Sequence, residues 1–417
     1  MKRFVLFAAA FLFVLGMSAP AKAACEDVTI GADIIIWGTY VDNIDFDEDT
    51  SDGYAWHTEK VKIHLYNYYT DNVMTHVRLD AKTKDSSKGS FVLDRAYIAM
   101  SDFLTEGLTL RAGKMSWGWE WRQKFGGHTL YNLVAGDFES AFIFKTKPLG
   151  WDATYKFNPD GKVYFGWGKI DENSEPGNNA NDTTAYLVRY DHKMGENSKL
   201  FVALIYIVDH YENLNGDLLY FNGGIDYFLM DEALELYLEF AYQGGDPHND
   251  SYDFGAVAFD LGAEYTFADV ETVPYLGIEI VYYTGDDSDS GDYTYGFQSP
   301  YSNWNRTIIF ASDVMYNDVY SDTWSGRPNY WSLMLQGGMK SIADDKFAID
   351  VVFAFFQNTD DVEDKGIGWE FDVSVSYFYT EDVTFAAGLG YFSPDDDIAG
   401  DDADGALVVI FGVNIDF

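Results

Sequence analysis

Two groups of charged side chains fall at even spacings within alternating segments of the sequence. Their residue types suit the selection of solutes rather than catalysis. The basic group lies early in the chain: Lys62, His64, Arg78, Arg95 and Arg111. The acidic group lies near the middle: Glu235, Glu239, Asp260, Glu264 and Glu279. A spacing of two places side chains on one face of a β-strand. By the same alternation, Asp94 should face away from Arg95.

If both groups line one aqueous lumen, they form a basic wall and an acidic wall. In a closed barrel of about 18 strands, the strands carrying these groups lie half a turn apart. Their field would then orient dipolar or zwitterionic solutes and slow apolar ones. The alternative is that each charge pairs with a neighbour on the wet face and selects nothing.

A long segment, 117–148, interrupts the alternation and begins with aromatic residues next to charges. Its candidate constriction residues are Trp117, Trp119, Glu120, Trp121, Arg122, Lys124 and His128. Folded into a lumen, this segment would narrow it, and rings flanked by charges would also suit sugar binding. Folded outward, the tryptophans would anchor at a membrane interface. We favour the inward arrangement.

Residues that could carry catalysis are not arranged for it. His128 near Glu139 and Ser140, or His210, would have to supply a hydrolase site, but neither G-x-S-x-G nor H-E-x-x-H occurs. We therefore expect no enzyme. A hydrolase would be revealed by activity that is lost on the substitution His128→Ala.

Carboxylates cluster in four loops, at 45–52, 286–292, 360–364 and 395–404. Such clusters attract hard cations. An EF-hand starting at Asp286 would need Glu where Phe297 stands. We expect no cofactor and no specific metal site, only non-specific divalent cations at these loops.

The elements that position these side chains are short alternating strands. The last twelve residues, 406–417, carry apolar side chains at every second position and end in Phe417. The stretch A-L-E-L-Y-L-E-F-A-Y-Q at 233–243 alternates in the same way. A strand with one apolar and one polar face suits a wall between lipid and water. Such segments recur along the chain and predict a barrel of about 18 strands, with 16 strands as the alternative. The segment 138–147 also resembles a strand, but an even count assigns it to the loop 117–148.

The chain begins with a charged start, an apolar run and the small-x-small sequence Ala21-Lys22-Ala23. This pattern predicts a cleaved export signal over 1–23, followed by one barrel domain over 24–417 with a long outer loop at 285–328. Aromatic residues make up 18% of the chain, as the girdles of a membrane barrel require. The formal net charge of −41 makes nucleic acid an improbable partner.

The sequences L-D-R-A-Y-I-A-M at 93–100 and L-T-L-R-A-G-K at 108–114, followed by an aromatic-rich loop, resemble the N-terminal half of bacterial porins. The leader, the alternation and Phe417 extend the resemblance over the chain. It implies a transmembrane antiparallel β-barrel in the outer membrane of a Gram-negative bacterium, with a loop folded into the pore. It also implies recognition of Phe417 by the barrel assembly machinery, and trimers among relatives.

Two functions follow as expectations. The first is a water-filled channel for passive diffusion of small hydrophilic solutes and ions, with cations preferred, or a carbohydrate-selective variant of it. The second is a barrel sheath that holds a periplasmic electron-transfer partner in its lumen. Outer-membrane lipid and lipopolysaccharide are the expected surroundings.

Overall fold

The computed structural model describes residues 28–43, 53–84, 91–117, 146–172, 182–209, 216–247, 252–284, 293–295, 307–309, 330–359, 366–395 and 404–417. The predicted leader, Cys25 and the four acidic loops fall mostly or entirely outside these ranges. In the described part of the chain, no helix is long and apolar enough to cross a membrane.

The described residues form nineteen strands. Their bounds are β1 (Val28–Asp42), β2 (Tyr54–Thr70), β3 (Val73–Lys84), β4 (Val92–Met100), β5 (Leu108–Lys114), β6 (Leu149–Lys156), β7 (Gly161–Glu172), β8 (Asp182–Lys193), β9 (Lys199–Asp209), β10 (Gly216–Leu229), β11 (Leu234–Pro247), β12 (Tyr252–Thr266), β13 (Pro274–Tyr283), β14 (Tyr293–Tyr295), β15 (Tyr330–Ile342), β16 (Phe347–Asn358), β17 (Gly366–Phe378), β18 (Val383–Pro394) and β19 (Ala406–Asp416).

Eighteen of these strands close into one antiparallel barrel. Each wall strand pairs with the next, and β19 returns to pair with β1. The short β14 adds only a parallel pairing to the end of β12, while β13 pairs directly with β15. The predicted all-β barrel of 18 strands is confirmed, and the alternative of 16 is wrong. In the wall β5 pairs directly with β6, and most of the segment 138–147 lies outside the described residues.

The period-two pattern separates an apolar outer face from a mixed inner face. On β11, Leu236 and Leu238 are 38% and 40% exposed, whereas Tyr237 and Glu239 between and beside them are 2% and 6% exposed. Most other wall strands alternate in the same way, whereas β5 is partly buried throughout and β4 is interrupted by a bulge. Burying one large apolar side chain stabilises by about 1.5–3 kcal/mol relative to water. An outer face with so many exposed apolar side chains is therefore stable only against lipid.

Connections at one end of the barrel are short, and those at the other end are long. Two residues join β2 to β3, and residues 343–346 join β15 to β16. In contrast, 34 residues separate β5 from β6, and 46 separate β13 from β15. We call the two ends the short-turn end and the long-loop end. This alternation is the one that the sequence predicts for a bacterial barrel.

The seam of the barrel closes at the short-turn end through the last residue. The Phe417 backbone N–H donates to the Ala32 carbonyl at 3.0 Å, and the Ala32 N–H donates to the Phe417 carbonyl at 2.6 Å. The phenyl ring points away from the lumen and is 70% exposed. The terminal aromatic thus completes the wall with its backbone and leaves its side chain accessible.

Candidate functional site

All five members of the basic wall face the lumen. Register pairs Lys62 with Asp33, and His64 with Arg78, so these side chains share one face of β1, β2 and β3. Lys62 Nζ and His64 Nε2 lie 3.4 and 3.5 Å from the Asp33 carboxylate. Arg78 binds Asp80 in a bidentate pair at 2.7 and 2.9 Å. Carboxylates therefore pair with the side chains of the basic wall, which was the alternative left open by the sequence. These cations nevertheless lie on the inner face of the barrel.

A β-bulge in β4 overturns the expected orientation of Asp94. Register shifts so that Arg95 pairs with Arg78, while Leu93, two residues earlier, pairs with Leu79. The extra residue between them, Asp94, turns inward as well, because a bulge inserts one residue without using a place in the alternation. Its carboxylate contacts Arg78 at 2.9 Å, Arg95 at 3.3 Å and the Lys147 ammonium.

Arg111 completes the basic wall at its border with the constriction loop. Its guanidinium donates to both carboxylate oxygens of Asp152 on β6 at 2.8 and 2.6 Å, and lies 5.5 Å from the centre of the Tyr97 ring. The Trp117 indole N–H donates to the same carboxylate at 3.0 Å. One carboxylate thus holds both a wall cation and the first residue of the loop.

A column of rings runs beside these charges, and sequence reasoning missed it apart from His64. The His64, Tyr66 and His76 rings stack with interplanar angles of 16° or less, and the Tyr97 ring meets His76 edge-on at 5.3 Å. The Nδ1 atom of His64 lies 3.2 Å from the Nε2 atom of His76. The inward alternation of β2 to β4 would have revealed this column, since all four positions share the parity of the basic wall.

The acidic wall also faces the lumen, on β11, β12 and β13. Register sets Glu239 opposite Asp260 and Glu235 opposite Glu264. Two polar contacts are built into it: Asn222 Nδ2 donates to Glu239 at 3.0 Å, and Lys340 Nζ donates to Glu264 at 2.6 Å. Like charges directly opposite one another oppose folding, so this arrangement is not explained by stability.

The acid-rich surface extends beyond the predicted residues. Further inward carboxylates lie on neighbouring strands and are buried: Asp226, Asp350, Glu370 and Asp372. Asp226 lies 3.8 Å from Lys199, and Asp350 accepts a hydrogen bond from the Tyr275 hydroxyl at 2.5 Å. A parity search of β10, β16 and β17 would have found them.

The two walls lie on opposite sides of the barrel. β3, at the centre of the basic wall, and β12, at the centre of the acidic wall, are nine strands apart in either direction. The two groups therefore lie on opposite arcs of the wall. Its role in selecting solutes stays a prediction.

Only the first of the predicted constriction residues is described. Trp117 is buried inside the barrel, and its ring lies over Gly166 of β7, where a Cβ atom would be 2.6 Å from Cζ2 of the indole. A backbone bridge joins Trp117 to Thr146, so both ends of the loop are held at the inner face. The other candidates, Trp119, Glu120, Trp121, Arg122, Lys124 and His128, lie outside the described residues.

Charged side chains do not line the inner face over its whole length. Toward the long-loop end, the inward side chains of β1, β9, β10, β16 and β19 are mostly apolar and buried in one cluster. Its members include Trp37, Val41, Ile205, Ile207, Leu218, Tyr220, Phe356, Val408 and Ile410. On β9, whose two faces are both apolar in the sequence, Phe201, Ala203 and Ile205 face inward. Charged and apolar side chains thus share the inner face, and this cluster is its apolar part.

Comparisons with known proteins agree with this architecture. Neither a family model nor a curated protein matches the sequence. Solved structures do match in fold: OccK5 (OpdH) of Pseudomonas aeruginosa has a TM-score of 0.57 at 13% identity, covering 93% of this chain and 98% of that one. OccK11 (OpdR) of the same species reaches 0.59 at 10% identity, covering 94% and 97%.

A third match is the outer membrane protein OprD from Pseudomonas aeruginosa, with a TM-score of 0.52 at 11% identity over 93% of this chain and 94% of that one. The class of protein defined by the fold is therefore a closed, porin-type β-barrel. Its particular form is the 18-stranded barrel of the outer-membrane porins, as the sequence resemblance implied.

Proposed function

We propose that this protein is an outer-membrane channel through which small hydrophilic solutes and ions diffuse passively, with cations preferred. The observation that carries the proposal is a closed 18-stranded barrel with an apolar outer face and two opposed charged walls inside. Rings of charge lining a pore are what ion selectivity is built from. No enzymatic step is part of the proposal.

The preference for cations follows from how the two walls are balanced. In the basic wall, the carboxylates of Asp33, Asp80, Asp94 and Asp152 lie within ion-pair distance of the cations, so little net positive charge faces the passage. Among the described residues, Lys340 forms an ion pair with Glu264 of the acidic wall, and Lys199 forms one with the neighbouring Asp226. Acids therefore outnumber bases across the lumen, and this raises the local concentration of cations.

The experiment is conductance in planar bilayers, with the reversal potential measured in a KCl gradient. We expect open channels and a reversal potential on the cation-selective side at low salt, weakening as salt screens the walls. A reversal potential on the anion-selective side would overturn the charge argument. A bilayer that stays silent over a range of protein concentrations would overturn the channel itself.

A carbohydrate-selective channel is a second candidate, supported by the ring column next to the basic wall. Tyr66 and Tyr97 flank the buried His76 and are partly exposed, and the Arg111 guanidinium lies 5.5 Å from the centre of the Tyr97 ring. Sugars would then block the ion current at concentrations at which non-sugar solutes of equal size do not block it. Co-purification of a coloured electron-transfer protein would favour the sheath hypothesis, and an empty purified barrel would count against it.

The acidic outer loops and the surroundings of the barrel complete the proposal. Lipid would cover the apolar outer face, and divalent cations bridging loop carboxylates to lipopolysaccharide would hold the long-loop end, since hard cations prefer such oxygens. A homotrimer is a compatible assembly, which the mass of the detergent-extracted protein would test.

A further inference from the structure

The outer face of β6 to β9 carries an apolar groove near the long-loop end. The groove has a volume of about 340 Å³ and is lined almost entirely by apolar atoms. Pockets that bind small ligands start at about this size. Six of the outward side chains that line it are Trp151, Phe165, Trp167, Tyr186, Leu204 and Tyr206. Register sets Trp151 opposite Trp167, and Tyr186 opposite Tyr206, so the groove crosses four adjacent strands.

The side chains of this groove are open to the surroundings of the barrel. Trp151, Phe165 and Leu204 are 44%, 46% and 45% exposed. The Tyr186 and Tyr206 rings stack with their centres 6.3 Å apart, which gives the groove a firm side. The Tyr206 hydroxyl donates to the Asp217 carboxylate at 2.7 Å. An apolar chain from the membrane can therefore reach the rings, and polar groups begin beside Tyr206.

Two lysines stand above the groove on the side of the long loops. Lys114 of β5, Leu149 of β6 and Lys169 of β7 form one cross-strand row. Residues directly opposite each other share a face of the sheet, and Leu149 faces outward with 46% exposure. Both lysines therefore belong to the outer face. Trp151 and Trp167 lie two residues further along their strands, a distance of about 7 Å from this row.

This pair concentrates positive charge on a face that is otherwise apolar. In the described strands, register places the other lysines and arginines on the inner face. The Lys114 ammonium donates to the Leu93 carbonyl at 2.7 Å. An ammonium carries three donors, so this bond leaves Lys114 able to contact an anion. Asp217 lies three strands beyond Lys169, roughly 14 Å away, which exceeds the screening length of about 8 Å at physiological salt.

We propose that the groove, Lys114 and Lys169 form a binding site for a lipopolysaccharide molecule. The long loops of such a barrel face the cell exterior, so this end of the groove lies in the leaflet whose lipid is phosphorylated and multiply acylated. The lysines bind its phosphate groups, because ammonium groups attract anionic head groups. An acyl chain of the same molecule fills the groove and covers its rings. The inference goes beyond transport, since it requires no solute to pass through the barrel.

The site is tested by the affinity of the purified, folded barrel for lipid A, measured by native mass spectrometry. EDTA is present throughout, so that divalent cations cannot bridge the lipid to loop carboxylates. We expect the parent to bind lipid A at least about tenfold more tightly than dephosphorylated lipid A with the same acyl chains, since each lysine near an anionic head group contributes about fivefold. Inorganic phosphate at the same concentration should not displace lipid A, because it has no acyl chain for the groove.

Matched lysine variants separate the site from net charge. Lys114→Gln and Lys169→Gln should each weaken lipid A binding by about fivefold. Lys162→Gln removes the same charge from the inner face, where Lys162 lies 3.6 Å from Asp191, and should leave the affinity unchanged. Equal losses in all three variants would show that only overall charge matters, and would overturn the site.

Matched tryptophan variants test the groove. Trp151→Ala should weaken binding by about fivefold or more, because part of the apolar contact is lost. Trp369→Ala removes an outward tryptophan of β17 that is 37% exposed, and should have no effect. Equal losses in both variants would indicate an unspecific lipid layer, and full affinity in Trp151→Ala would likewise overturn the proposal.

Two further outcomes are decisive. If the detergent-extracted protein is an oligomer that Trp151→Ala dissociates, a second copy of the chain occupies the groove and the lipid site is wrong. Single-channel conductance distinguishes this inference from the channel proposal, because Lys114→Gln and Lys169→Gln lie on the outer face and should conduct like the parent. A parent that binds lipid A as expected but never conducts would defeat the channel proposal alone. A conducting parent without preference for lipid A over its dephosphorylated form would defeat this inference alone.

Discussion

The Arg78 guanidinium and the Asp94 carboxylate meet in the wall of the lumen at 2.9 Å, with only 3% and 6% of the two side chains exposed. Arg95 and Lys147 contact the same carboxylate, so one acid is shared by three cations. Such an arrangement compensates the positive charge that is buried in the inner face of the wall. It depends on the bulge that turns two consecutive residues inward.

Replacing this acid should make the passage more favourable to anions. Asp94→Asn keeps the shape of the side chain but removes the charge that offsets three cations. We expect the cation-over-anion permeability ratio to fall and the reversal potential to move toward the anion side. Asp217→Asn is the matched control, because Asp217 bonds the outward Tyr206 hydroxyl at 2.7 Å and should leave selectivity unchanged. Equal shifts in both variants would contradict the assignment of Asp94 to the lumen.

The acidic wall should respond with opposite changes in selectivity and stability. Asp260 stands directly opposite Glu239, and like charges at such positions destabilise an antiparallel pair by about 0.2–1 kcal/mol. Asp260→Asn should therefore reduce cation preference while leaving the free energy of unfolding unchanged or slightly higher. Reversal potentials and urea unfolding of the refolded barrel measure the two quantities. A large loss of stability would show that Asp260 serves the fold rather than the passage.

The seat of Trp117 should control how far the loop 117–148 narrows the lumen. A methyl group at Gly166 would overlap the indole, so Gly166→Ala should displace Trp117 and alter single-channel conductance. Trp117→Phe keeps an aromatic ring but removes the donor to Asp152, which loses a contact worth about 1.5–3 kcal/mol for a charged acceptor. Conductance should change less in Trp117→Phe than in Gly166→Ala. Unchanged conductance in Gly166→Ala would indicate that the solute passage does not run past Trp117.

The strands could be predicted because their signal is local. Leu236, Leu238 and Glu239 alternate within one segment. The period-two pattern alone therefore predicts which face of the strand each side chain occupies, without knowledge of any distant partner. When the period-two pattern was applied to all of the alternating segments, it predicted the closed barrel and the charged side chains that face the lumen. It also placed the basic and acidic walls opposite each other, because strand order alone fixes angular position in a closed barrel.

The features that escaped prediction depend on contacts between distant parts of the chain. Ile308 is inside because Asp372, 64 residues away, accepts its N–H and because Gly390 leaves space. No local pattern around residue 308 indicates this. The inward position of Asp94 was missed because a bulge breaks the alternation on which the prediction relied. An apolar inner face could be read from the sequence for β9, but not for β19, because Val408 and Ile410 share the inward parity of the polar Asn414.

The last residue should have two roles that can be separated. The backbone of Phe417 closes the seam on Ala32 through two hydrogen bonds, while its ring is 70% exposed and available to the assembly machinery that the porin resemblance implies. Phe417→Ala keeps both backbone bonds, so refolding into detergent or lipid in vitro should proceed with nearly the parent midpoint of unfolding. In cells the same variant should accumulate less in the outer membrane, because the accessible ring is gone.

Deletion of residue 417 provides the contrast, because it removes the ring and both seam bonds together. Each such bond contributes about 0.5–1.5 kcal/mol, so the deletion should lower stability in vitro as well as assembly in cells. Heat-modified mobility on gels measures the folded fraction in both settings. If Phe417→Ala proved as defective as the deletion in purified refolding, the ring would be acting in the fold of the barrel, and recognition by assembly machinery would not be needed to explain a terminal aromatic.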